Sequence, residues 1–134
     1  MRRKSRELAL QILFQTEFAP QIKCQDLLHF FEDKGLYDGD TMNYANHLIQ
    51  GVEQFQSQID SVIQGASAHW RIERMNFIDR NIMRIAVFEM KFDQPNLTSN
   101  IAINEAVELA KLYGTTDSAS FVNGVLDQVQ RLDH

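Results

Sequence analysis

Apolar residues recur along this chain at helical spacing, broken at a few turns that carry glycine or proline. Leu8, Leu10, Ile12, Leu13, Phe14 and Phe18 give a first helix a broad apolar side, ending before Pro20. A shorter helix, from about Ile22 to Asp33, turns Leu27, Leu28, Phe30 and Phe31 inward, with Gly35 as its stop. The LYDGD segment reads as a turn, with Asp40 the expected cap of the third helix. Tyr44, Ala45, Leu48, Ile49, Val52, Phe55, Ile59, Val62 and Ile63 then hold the period up to Gly65, as one bent helix or two. Residues 66–75 break the pattern. Trp70 is expected to anchor a turn there against the core, with Arg71 and Arg74 solvated or paired with Glu73. Asn76, with Asp79 three residues on, resembles a capping arrangement, and the next helix carries Ile78, Ile82, Ile85, Ala86 and Phe88 inward.

Two further helical patterns close the chain. In INEAVELAKLY, Ala102, Ala106 and Ala110 form a four-residue row that lets a neighbouring backbone come close, and Val107 and Tyr113 widen the apolar side. Gly114 stands where a left-handed residue would end that helix. Asp117 or Ser118 offers an oxygen to cap the next, whose Val122, Val125, Leu126 and Val129 form one stripe. The sum is an all-α fold of about seven helices, with no convincing strand and no internal repeat, read as one domain over residues 1–134.

Composition agrees: 44% hydrophobic residues with 2 Pro and 6 Gly suit a packed helical core and argue against disorder. The single cysteine, Cys24, has no partner for an internal disulfide, so a reducing, cytoplasmic setting is expected. No apolar run approaches the ~20 residues of a membrane helix, and Glu7 and Gln11 interrupt the one segment that could pass for a leader. The net charge is −5, yet Arg2, Arg3, Lys4 and Arg6 stand against Glu7 alone in the first eight residues. A basic tip on an acidic body points to a localised anion contact. Helix stability does not explain those cations, because the N-terminal end of the macrodipole disfavours positive charge.

Catalytic chemistry is missing from the pattern. His29, His47, His69 and His134 are scattered, with no metal-ligand spacing and no second cysteine, so no metal site and no cofactor are expected. There is no glycine-rich phosphate loop and no nucleophile elbow, and the carboxylates Asp79, Glu89, Glu105 and Glu108 are expected on helix surfaces, solvated or paired. The expectation is a protein that is not an enzyme.

AINEAVELAKLYG followed by DSASFVNGVLD closely resembles the C-terminal signature of the NusB family of bacterial transcription antitermination factors, and RRKSRELALQILFQ and FIDRNIMRIAVFEM extend the likeness over nearly the whole chain. The resemblance implies two small helical subdomains side by side, with the long third helix helping to connect them. It also implies binding of boxA, a short single-stranded element in the leader of ribosomal RNA transcripts, together with a small-subunit ribosomal protein (NusE), docked on the RNA polymerase antitermination complex. Arg2, Arg3, Lys4 and Arg6 would then meet phosphates. Phe121, at the margin of its apolar stripe, would stack under an unpaired base. Asn123 would read a polar edge or hold the hairpin turn. Phe14 and Asp79 match positions that the family places at the partner junction. Ser120 stands where the family usually has lysine, which removes one phosphate contact, and Asp117 beside it should repel RNA.

Two other readings compete. A NusB-like domain also begins certain ribosomal RNA cytosine methyltransferases, although no Rossmann-like pattern follows here before His134. A helical adaptor that binds only protein is the third. The oligomeric state, a homodimer included, stays open.

Overall fold

The computed structural model describes residues 2–132; His134, one of the four scattered histidines, lies outside them. Seven α-helices account for most of the chain: α1 (Arg2–Phe18), α2 (Cys24–Lys34), α3 (Gly39–Gln54), α4 (Gln56–Ala66), α5 (Phe77–Val87), α6 (Ser99–Tyr113) and α7 (Ser118–Arg131). No strand occurs among the described residues. A 3-10 turn, Ile72–Arg74, precedes α5, which runs on into a π-turn, Phe88–Phe92.

The long run from Tyr44 to Ile63 is two helices, broken at Phe55, whose φ of −107° and ψ of 18° leave the helical region. The cap before it is Asp38 and not Asp40: the Asp38 carboxylate accepts from the Thr41 N–H at 2.7 Å, and Asp40 lies in the first turn. Gly35 ends α2 in the left-handed region at φ 66°, as its place in the sequence required. Gly114 does not do the same for α6. It is extended at φ −94° and ψ −168°, and a Cβ there would run into Ser118. Asn76 caps α5 by accepting from the Asp79 N–H at 2.8 Å.

Packing falls into two groups. Helices α1, α2 and α3 contact one another; α5, α6 and α7 do the same, with α4 against α5 and α7; and α5 joins the groups by lying against α1 and α3 as well, beside a smaller contact of α3 with α4. Every residue of α5 and its π-turn from Asp79 to Met90 is buried, so this is the axis of the molecule. The buried apolar residues of both groups form one continuous core. Ala102, Ala106 and Ala110 are all within it, as are Val122, Val125, Leu126 and Val129.

Not every ring expected inside is there. Phe18 is 73% exposed, Phe30 half exposed, and Tyr113 donates its hydroxyl to Glu7 at 3.0 Å from an exposed position. Trp70 does not anchor a turn in the core; it is 61% exposed.

Candidate nucleic-acid interface

The first turn of α1 sets its cations against α3 and α6. Arg2 lays its guanidinium over the Tyr44 ring, 3.7 Å from the centroid. Arg3 forms a fork with Glu105, at 3.2 and 2.9 Å, with about half its side chain still in solvent. Lys4 is exposed. Together with Leu97 and Ile101 these groups line a concavity of about 750 Å³. The Arg3 fork holds the Glu105 carboxyl below its ordinary range, against partial burial that would raise it.

Arg6 departs from the expectation. Its side chain is 7% exposed, and its guanidinium is clasped by Glu89 at 2.9 and 3.0 Å and touched by Glu105 at 3.4 Å. Burial alone would lower its pKa; the hydrogen bonds and charge of Glu89 raise it. One helical turn below Arg2 and Arg3, the same cation type is therefore internal, and it is no phosphate ligand in this arrangement. Glu89 also accepts from the Tyr44 hydroxyl, and burial followed by that bond pushes the tyrosine up to about 12. The π-turn carries Glu89, so the widened turn anchors the cationic tip to the core.

The last helix carries the remaining candidates. Phe121 is half-buried and meets Trp70 edge to face, ring centroids 6.4 Å apart. Asn123, Ser120 and Asp117 are exposed. Asp117 makes no side-chain cap for α7, and Ser118 spends its hydroxyl on the Thr115 N–H at 2.9 Å, within the turn. The structure does not bring Phe121 against the cations. Arg3 lies in the seam between α1 and α6, whereas Phe121 lies in the seam between α7 and the loop after α4.

Phe14 is half-buried at another edge. It stacks with Phe18 at 6.2 Å and meets Phe77 edge-on at 6.4 Å. With Ile78 and Tyr113 these rings line an apolar groove of about 550 Å³. Asp79 is not on that surface: it is 5% exposed, and its carboxylate accepts from the Asn76 side-chain amide at 3.0 Å. Sequence reasoning also missed a buried ionic cluster on α5. Arg84 forks onto Asp60 at 2.8 and 2.9 Å and reaches Glu17 at 2.9 Å, and Arg80 meets Glu17 at 2.7 Å. Among the described residues no group of three His, Cys, Asp or Glu is placed to hold a metal ion, and no helix is long and apolar enough to cross a membrane. Burial pushes the Cys24 thiol up to about 11, which makes it a poor nucleophile.

Comparison with known proteins agrees with this architecture. The NusB family model matches residues 3–131. Transcription antitermination protein NusB of Bdellovibrio bacteriovorus is 59% identical over 128 residues, 96% of this chain and 93% of that protein. The Myxococcus xanthus protein of the same name is 40% identical over 131 residues, 96% of this chain and 93% of its own. Among solved structures, T. maritima NusB superposes with a TM-score of 0.88 at 34% identity, covering 100% of this chain and 92% of that one. A structure of antitermination factors NusB and NusE in complex with dsRNA gives 0.84 at 25% identity, covering 98% and 96%. The chain belongs to the NusB family, a family of antitermination factors and not of enzymes.

Proposed function

We propose that this protein grips single-stranded boxA RNA of ribosomal RNA transcripts in the cytoplasm, with a NusE-type ribosomal protein as its partner on the transcribing polymerase. The observation that carries the reading is the cationic first turn: Arg2, Arg3 and Lys4 are exposed on a chain of net charge −5, and Tyr44 and Glu105 hold the first two in place. Such contacts position a strand through its phosphates. Phe121, half-buried on α7, supplies a ring for an unpaired base, a contact worth ~1–3 kcal/mol. Asn123 on the same helix is exposed to read a base edge.

The groove lined by Phe14, Phe18, Phe77 and Tyr113 is the seat proposed for the ribosomal protein. Exposed rings in a shallow apolar groove are typical anchors of an interface, and the acidic body speeds encounter with a cationic partner. The relatives' names and a NusB–NusE pair solved with dsRNA support this over the methyltransferase domain.

The test is a titration of labelled single-stranded boxA RNA, a scrambled strand and a duplex of the boxA sequence, each with and without the ribosomal partner. Preferred binding of the boxA strand, strengthened by the partner, is expected. Failure of all three RNAs to bind, partner present, would leave a protein-only adaptor. In the same assay Asp117→Asn is expected to tighten binding, with a gain that shrinks as salt screens it, since Asp117 has no capping bond to lose.

A further inference from the structure

Trp70 is large, apolar and 61% exposed, and it is held so. The Gln64 amide donates to the carbonyl of Trp70 at 2.9 Å and to that of Ser67 at 3.2 Å, while its oxygen accepts from the Ile72 N–H at 2.9 Å. The Ser67 hydroxyl adds a bond to the Trp70 carbonyl at 3.2 Å. The loop is thus braced on α4 while the indole projects outward. Its inner neighbour is Phe121, met edge to face with an interplanar angle of 87°.

The surroundings are charged. Arg71 and Arg74 are exposed; Arg71 makes only a 3.4 Å contact with Glu73, both side chains open to solvent, and Arg74 has no ion pair among the described residues. An isolated ring among solvated cations is not the continuous apolar patch that a protein partner buries. It matches the physics of single-strand binding, where aromatic faces take successive bases and cations follow the backbone.

We propose that Trp70 is a second nucleobase-stacking ring, which takes an unpaired RNA base next to the one on Phe121 while Arg71 and Arg74 meet the flanking phosphates. This rests on the reading of the chain as a single-stranded RNA binder and extends its footprint to the loop between α4 and α5.

Trp70 is the chain's one tryptophan, so intrinsic emission reports on it alone. The experiment follows that emission as unlabelled single-stranded boxA RNA is added, and measures the affinity of labelled RNA for wild type, Trp70→Ala, Trp70→Phe and Phe121→Ala, each checked for folding by thermal melting. Expected are quenching at saturation, a loss of roughly 5- to 150-fold in Trp70→Ala, and near-wild-type affinity in Trp70→Phe. If RNA binds and Phe121→Ala weakens it, but emission is unchanged and Trp70→Ala binds like wild type, the second ring is wrong and the RNA reading stands. Equal losses in Trp70→Ala and Trp70→Phe without quenching would make Trp70 a structural prop, which also overturns the proposal. No binding of any RNA by wild type removes the parent reading and this inference together.

Discussion

Arg3 and Arg6 stand three residues apart on one helix and answer to different physics. Arg6 is buried on Glu89, and removing one member of a buried pair strands the other; Arg6→Ala is expected to cost ~3–5 kcal/mol in urea unfolding. Arg3 pairs with Glu105 in solvent, and Arg3→Ala is expected to leave the unfolding midpoint near wild type while weakening RNA binding. Equal stability of the two variants would refute the distinction. Glu105 adds a pH signature. Its carboxyl is lowered by Arg3, so its contribution to stability is complete above the ordinary value of 4.5 and fades as pH falls through the lower folded value. The stability gap between wild type and Glu105→Gln, under ~1 kcal/mol for so exposed a pair, should therefore hold at neutral pH and close on acidification below 4.5. A gap constant from pH 7 to pH 3 would show that the ion pair contributes nothing.

At the scale of elements, α5 explains both what the chain's pattern conveyed and what it hid. Ile82, Ile85, Ala86 and Phe88 announced a helix with an inward stripe, and all are buried. The opposite side carries Arg80, Asn81, Arg84 and Glu89, which composition assigns to solvent, yet these too are buried. Their partners, Glu17 on α1, Asp60 on α4 and Arg6, are remote in sequence, so no local window could show that the polar side would be paired. Caps show the same limit. Gly35 and Asn76 depend on neighbours within a few residues and were legible; Gly114 is extended, and a Cβ there would run into Ser118, a close approach that spacing alone does not encode. Gly51 lies inside α3, where that helix meets the π-turn. A Cβ there would run into the Phe88 ring. Gly51→Ala gains about 1 kcal/mol of helix propensity but overpacks the ring at ~1–3 kcal/mol, so a lowered melting temperature is expected. A raised one would mean that Phe88 moves aside freely.

For the whole molecule, the distribution of charge outweighs its total. An acidic body discourages adsorption along any nucleic acid, while three exposed cations at one corner give a localised electrostatic entry point. The motif-bearing ends of the chain were readable as candidates, but their relative placement was not, because α1 and α7 meet different neighbours around α5. The aromatic groove and Trp70 were hidden for a related reason: apolar residues default to the core in a sequence reading, and only the fold shows which ones it leaves outside.

The direct measurement is the salt dependence of affinity for single-stranded boxA RNA with the ribosomal partner present. With Arg6 internal, Arg2, Arg3 and Lys4 at the first turn should give a logarithmic slope of about −2, at ~0.7 per phosphate, plus any share from Arg71 and Arg74. Replacing Arg2, Arg3 and Lys4 together by glutamine should bring that slope toward zero by about 2. A slope that the triple replacement leaves unchanged would place the strand elsewhere on the protein.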